Sequence, residues 1–380
     1  MSVWSVLVAC DSDVQKQPGH KLGQARAERK IGLPNTYQIE KEKVYTKKIR
    51  EIQKELPLFA GTFLRALENH TSTLTRYAYA IDLRSFFRYL VTESDILHGR
   101  DIQSLAANDL EQVRAYHIEL FLEQQSLYQK GEREITNRER AKARKLATLR
   151  TFFKFMFKQE LISANVAALV EMPKQHEKAI LRLEPNEVAN LLDRAERGDG
   201  LTARQQQYHA ATQVRDLAIL TLFLGTGIRI SELIGIDRND IDFDNNTFLV
   251  TRKGGKQSIL SFGEEVRTAL WNYREQRDTI EAQEGHEQAF FLSLQRRRIT
   301  ARAVENLVKK YAAITTPLKK ITPHKLRSTY GTMLYHETQD IYLVADVLGH
   351  KDVNTTRKHY AAQSEEHSRI AAQKIHLRKN

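Results

Sequence analysis

The sequence predicts a mainly α-helical protein of two domains, with a small β-sheet in the second. Three observations carry that expectation. The chain has 380 residues, more than one ordinary core organises. Apolar residues recur at helical spacing across residues 43–172. That periodicity then breaks over 173–185 and resumes beyond it, interrupted by short alternating segments.

The elements follow in chain order. Residues 1–42 hold a short apolar start and then a polar, basic stretch punctuated by Pro18, Gly19, Gly23, Gly32 and Pro34, with no sustained period. They are read as an extension that is poorly or conditionally ordered. Residues 43–172 are read as helical throughout. "TLTRYAYAIDLRSFFRYLV" sets Leu74, Tyr77, Ile81, Phe86 (or Leu83) and Leu90 on one stripe, with Arg76, Arg84 and Arg88 off it and Ser72 or Thr71 as N-cap. "NRERAKARKLATLRTFFKFMFKQ" sets Leu146, Leu149, Phe152, Phe153 and Phe157 on one side, with Arg138, Arg140, Lys142, Arg144, Lys145 and Arg150 on the others. Residues 173–185, charged and framed by Pro173 and Pro185, read as a linker. The second domain, 186–380, opens on a helix near "NEVANLLDRAE". An apolar helix, a glycine turn and a second helix follow in "QVRDLAILTLFLGTGIRISELIGI". "FLVTRKGGKQSILSF" then reads as a hairpin around Gly254–Gly255, and the remainder as mostly helical.

Lys plus Arg number 59 against 47 Asp plus Glu, a net charge of +12, which fits a polyanionic partner, nucleic acid before an anionic membrane. A basic helix face is ordinarily only a solvated face, but two of them in one small bundle point to phosphate contacts. A single cysteine, Cys10, allows no disulfide within the chain and fits a reducing compartment. No apolar run approaches the ~18 residues a bilayer span requires, and the apolar start lacks the pattern of a signal peptide. A cytoplasmic location is expected.

The residues that can carry chemistry lie in the second domain. In "GTGIRISEL", Arg229 and Glu232 share a helix face beside Gly225 and Gly227, which let backbone approach closely. That is a sensible place to hold a phosphate against a guanidinium fork. "TRKGGKQS" puts Lys253 and Lys256 at a hairpin tip, where lysines are mostly solvated but where one can protonate a leaving oxygen. In "TPHKLRSTYG", Thr322 can cap a helix, Pro323 suits its first turn, and His324 and Arg327 share a face near the helix N-terminus, favourable for an anion. "LGH" supplies His350 after a helix-ending glycine, and "LGHKDVNTTRKHY" ends on Tyr360 ten residues later. The sequence has no metal-binding motif and no nucleotide-binding P-loop. Phosphoryl transfer suits this set: fixed cations stabilise the charge of the transition state, and a tyrosine can serve as nucleophile.

Taken in this order and spacing, "GTGIRISEL", "TRKGGK", "HKLR", "LGH" and the terminal tyrosine resemble the tyrosine recombinase (phage integrase) family, and "RDLAILTLFLGTGIRISEL", "TRKGGK" and "TPHKLR" are most similar to single-protein Xer-type recombinases. The resemblance spans the chain from about Tyr45 to its end. It implies a C-shaped DNA clamp, a helical SAM-like core-binding domain opposite the catalytic domain. It implies Tyr360 as nucleophile forming a 3′-phosphotyrosyl bond, Arg229 and Arg327 clamping the phosphate, and Lys253 protonating the 5′-oxygen with Lys256 in reserve. His324 and His350 would assist at the phosphate and Glu232 would support the site. It further implies double-stranded DNA with inverted repeats as substrate, strand exchange through a Holliday junction in a homotetramer on two sites, and a C-terminal helix after Tyr360 donated to a neighbour. Neither metal nor ATP is expected. Xer-like roles in chromosome dimer resolution, chromosome partition and cell division, beside a DNA translocase, are implied, with a mobile-element integrase as the alternative. Type IB topoisomerase, a DNA-binding protein without catalysis and a membrane-surface role are the other readings. Lys145 and Arg150 are expected to contact DNA, so that Lys145→Ala would flatten the salt dependence of binding.

Overall fold

The computed structural model describes residues 36–130, 133–136, 139–174, 181–252, 255–349 and 353. Expectations placed on residues 1–35, Lys253, His350, Tyr360 and the C-terminal helix lie outside the described residues. Among those described, no helix is long and apolar enough to cross a membrane.

The N-terminal part is built on helices α1 (Thr36–Gln53), α2 (Leu58–Ala66), α3 (Thr73–Thr92), α4 (Ala115–Gln124) and α5 (Glu139–Lys158). Their buried side chains form one cluster whose centre is aromatic. Phe63, Phe86, Phe87, Phe121, Phe152 and Phe153 are fully buried and meet one another largely edge-on. Burying a side chain of this kind is worth about 1.5–3 kcal/mol. Ser72 caps α3, its hydroxyl accepting the Thr75 amide. Helix α1 begins at Thr36, so the expected start of ordered structure at 43 falls inside a helix. Its first turns carry no apolar stripe to read, because Ile39 and Val44 both face solvent.

Two further expectations need correction. A two-stranded antiparallel hairpin, β1 (Leu127–Lys130) with β2 (Arg133–Thr136), interrupts the region read as all-helical. Its runs of four residues are too short to show a strand period. The helical stripes are also shifted. Leu74 in the first turn of α3 and Phe157 in the last turn of α5 are each 47% exposed, whereas Arg76 and Lys145, assigned to the polar faces, are buried. Arg76 pairs with Glu68 in the turn ahead of α3, and for Lys145 the cause is an acidic side chain on the apolar face of α3. Asp82, 1% exposed, accepts hydrogen bonds from Arg144, Lys145 and the Thr148 hydroxyl of α5. Lys145, 6% exposed, also lies over the Phe121 ring. Burial pulls its ammonium below the usual lysine range, with Asp82 opposing.

The C-terminal part forms a second cluster. Helix α6 (Pro185–Arg197) ends at Gly198 in the left-handed region. Helix α7 (Ala203–Thr226) crosses the middle of the cluster, its Ile219–Leu224 run almost wholly buried. The short α8 (Ile230–Leu233) follows, then the antiparallel sheet β3 (Ile241–Asp242), β4 (Thr247–Thr251), β5 (Gln257–Ser261), in that spatial order. Strands β4 and β5 pair from Thr247↔Ser261 to Thr251↔Gln257, on either side of the expected turn. Helices α9 (Glu264–Asp278), α10 (Ala301–Thr315), α11 (Pro323–Thr338) and α12 (Ile341–Leu348) complete it. Gly225, inside α7, lets α9 approach: a Cβ there would stand 2.3 Å from Val266 Cγ2. Beneath α10, Asp216 takes Lys310, Arg215 and the Tyr311 hydroxyl, and burial together with this carboxylate drives the Tyr311 phenol far above its ordinary range.

Removing Asp82 strands the Lys145 ammonium in an aromatic core. Asp82→Ala should therefore cost about 3 kcal/mol, the usual penalty for breaking one side of a buried pair. The urea midpoint by circular dichroism measures it, and a midpoint within the scatter of the unsubstituted chain would show that the pair is not holding the bundle together.

Candidate active site

Helix α12 organises the site. Asp340 caps its start, one carboxylate oxygen accepting the amides of Tyr342 (2.8 Å) and Leu343 (3.1 Å). Gly349 ends it at φ +60°, ψ 48°, the left-handed conformation a C-terminal glycine supplies. The last carbonyls of any helix have no acceptor role within it, and cations at that end are favoured by the helix dipole. Here arginines supply both needs. The Arg327 guanidinium, on α11, donates to the carbonyls of Leu348 and Gly227. Arg229, just ahead of α8, donates to the Gly349 carbonyl at 3.0 Å. Two arginines about a hundred residues apart in sequence are thereby set on successive carbonyls.

Each is further fixed. Arg229 donates from Nη1 to Glu232 Oε1 at 2.8 Å, and its own amide donates to Glu232 Oε2 at 3.0 Å, so the carboxylate orients side chain and helix start together. Glu232 is buried, while the Arg229 side chain stays 35% exposed. Arg327 is 6% exposed. Gly227 closes α7 at φ +61°, and a Cβ on it would meet the Tyr330 ring at 2.4 Å and Leu348 at 2.9 Å. Burial lifts the Tyr330 phenol above its ordinary range, which makes it a packing group and a poor nucleophile.

The other expected residues distribute as follows. His324 lies exposed in the first turn of α11, one turn before Arg327. Pro323 takes the first helical position as expected, but the Thr322 hydroxyl makes no capping bond. Lys256 is exposed where the hairpin enters β5. Lys253, His350 and Tyr360 lie outside the described residues; Lys253 directly follows Arg252, and His350 directly follows Gly349. The chemistry open to this arrangement is oxyanion recognition: two fixed guanidinia, one on a partly exposed side chain, beside an exposed histidine.

The two N-terminal residues expected to touch DNA are committed internally. Lys145 is directed onto Asp82, as described. Arg150 donates to the carbonyls of Ala167 (3.2 Å) and Val170. Exposed cations on the same helix include Arg140, Arg144, Lys154 and Lys158, the Arg144 side chain 48% exposed beyond its bond to Asp82. Arg140 also comes within electrostatic range of Lys325, beside His324. Burial first, and then this like charge, lower the Lys325 ammonium's proton affinity. Sequence reading found Gly349 as the end of a helix but missed Asp82 and Arg252 as parts of these arrangements. The only signal for Asp82 was an acid among apolar positions of α3.

Comparison with known proteins fits this geometry. Residues 182–367 match the phage integrase family. The tyrosine recombinase XerC of Chlorobaculum tepidum is 32% identical over 307 residues, 78% of this chain and 88% of that protein. That of Syntrophus aciditrophicus is 30% identical over 300 residues, 78% and 89%. In fold, the chain resembles the XerH site-specific recombinase in its post-cleavage complex with palindromic difH substrate, with TM-score 0.59 and 18% identity over 79% of this chain and 80% of that one. The chain belongs to the phage integrase family of tyrosine recombinases and is a site-specific recombinase of the Xer type.

Proposed function

We propose that this recombinase cuts and rejoins double-stranded DNA by transesterification at Tyr360, without metal or ATP. The Tyr360 oxygen attacks the scissile phosphorus, the bond to the 5′-oxygen breaks, and a 3′-phosphotyrosyl link forms. Arg229 and Arg327 hold the non-bridging oxygens, with Glu232 supporting the first. Lys253 gives the leaving 5′-oxygen its proton, with Lys256 as the second choice, and His324 and His350 assist at the phosphate. The reverse attack by a 5′-hydroxyl from another strand restores the phosphodiester, so bond energy is conserved. The observation that carries this reading is the seating of Arg229 and Arg327 on the two carbonyls that immediately precede His350.

Residues 43–172 would form the core-binding domain and 186–380 the catalytic domain, joined by 173–185 and closing round the duplex from two sides. Two hydrophobic clusters that share no residue support the division. Phosphates are assigned to Arg140 and Arg144 in place of Lys145 and Arg150. The like charge of Arg140 felt at Lys325 favours an anion near them. Four protomers would act on two inverted-repeat sites through a Holliday junction. The likeness to relatives bearing the XerC name favours chromosome dimer resolution, with a DNA translocase as partner, over insertion of a mobile element.

Nicked suicide duplexes, drawn from dif-like sequences and from DNA flanking the gene, should yield a covalent protein–DNA band in EDTA. The band should vanish in Tyr360→Phe. Its persistence in that variant would assign the attack to another residue, and the DNA trapped would separate a chromosomal site from a mobile-element end. Salt titrations divide the basic residues of α5. Arg140→Ala should lower the slope of log affinity against log salt by roughly 0.9, one phosphate's share. Lys145→Ala should leave that slope unchanged while lowering stability, and a flattened slope would return Lys145 to the interface.

A further inference from the structure

Arg252 directly follows strand β4 and stands next to Lys253 in the chain. Both of its backbone groups are engaged in the hairpin: its amide donates to the Lys256 carbonyl at 2.7 Å, and its carbonyl accepts the Gly255 amide at 3.2 Å. Its side chain leaves the hairpin altogether. The guanidinium runs to the end of α12, where Nη2 makes a long 3.5 Å contact with the Val347 carbonyl. There it packs closely against Gly349. A Cβ on that glycine would stand 2.1 Å from Arg252 Nη1 and 2.5 Å from Cζ, so the site admits this arginine only because residue 349 has no side chain.

The bland alternative is a hairpin arginine resting where it falls. Its burial argues otherwise. Arg252 Nε is shut away from solvent and is without a hydrogen-bond partner among the described residues. Desolvating a guanidinium nitrogen in this way is unfavourable, and an apolar or fully bonded side chain would serve stability better. Arg229 and Arg327 occupy the next two carbonyls, so Arg252 completes a set of three arginines on Val347, Leu348 and Gly349.

We propose that Arg252 is a positioning residue: it latches the base of the β4–β5 hairpin to the end of α12 and thereby sets where Lys253 delivers its proton. The lysine stem is long and flexible, so a lysine on an untethered hairpin would sample many positions. Successive Cα atoms are only about 3.8 Å apart, so fixing Arg252 fixes the root of Lys253 relative to the carbonyls that hold Arg229 and Arg327. The inference rests on the reading of Lys253 as the acid for the leaving oxygen.

The test uses the full chain on the trapped duplex, with the scissile 5′-bridging oxygen replaced by sulfur. When the bond from phosphorus to sulfur breaks, the sulfur leaves as a thiolate and needs no proton, so a defect in proton delivery disappears. Arg252→Ala should cleave the oxygen substrate about a hundredfold more slowly, the scale of a misplaced catalytic group, yet cleave the sulfur substrate at close to the unsubstituted rate. Arg252→Lys, which keeps the charge but not the planar fork, should show the same sulfur rescue from a smaller defect. Lys253→Ala should be rescued as well, and Arg327→Ala should stay slow on both. Arg252 variants equally slow on both substrates would overturn the proposal and place the residue at the phosphate or in the fold. If Lys253→Ala alone fails to be rescued, the proton comes through Arg252 itself and the positioning role falls. If neither is rescued, the assignment of Lys253 falls first, and the latch with it.

Discussion

The unmet carbonyls at the end of α12 are the constraint on which the site depends. A helix that stops leaves acceptors exposed, and burying them without partners is unfavourable. Here they are met by cations drawn from three separate places: the turn after α7, the end of β4 and the first turns of α11. Gly349 makes this possible twice. It turns the chain at positive φ, and it leaves room for Arg252. Because two of the guanidinia that cap the helix, Arg229 and Arg327, are those proposed to grip the phosphate, one structural need and one chemical need converge on one point.

The surrounding fold follows from holding these elements at short range. Gly225 lets α9 close on α7, and Gly227 lets Tyr330 and Leu348 close on the α7 end. Arg327 bonds to the Gly227 carbonyl and the Leu348 carbonyl with one side chain, tying the end of α7 to the end of α12. Side chains larger than hydrogen at 225, 227 or 349 would each open a different seam of the same junction.

Much of this was legible in the sequence, and the failures have a common cause. The Arg229–Glu232 pair, the β4–β5 hairpin, the proline start of α11 and the Ser72 cap are local, with spacings of one to a few residues that report directly on geometry. The errors came where a partner lies far away. Lys145 read as a DNA contact because nothing near it in sequence announces Asp82 as its partner across the bundle. Arg150 read as a DNA contact because the carbonyls it meets belong to a later turn of chain. Arg252 drew no reading at all, since the glycine that receives it is about a hundred residues on.

The burial of Asp82 has a consequence for handling the protein. Ions in solution screen exposed charges over about 10 Å at 0.1 M, but act weakly on a pair enclosed by aromatic rings. The contacts proposed for Arg140 and the outer edge of Arg144 are of the first kind, and the bond from Lys145 to Asp82 is of the second. Concentrated salt should therefore strip nucleic acid from the purified chain while the helical bundle beneath keeps its shape, so that release of the substrate and loss of the fold are separable by ionic strength alone.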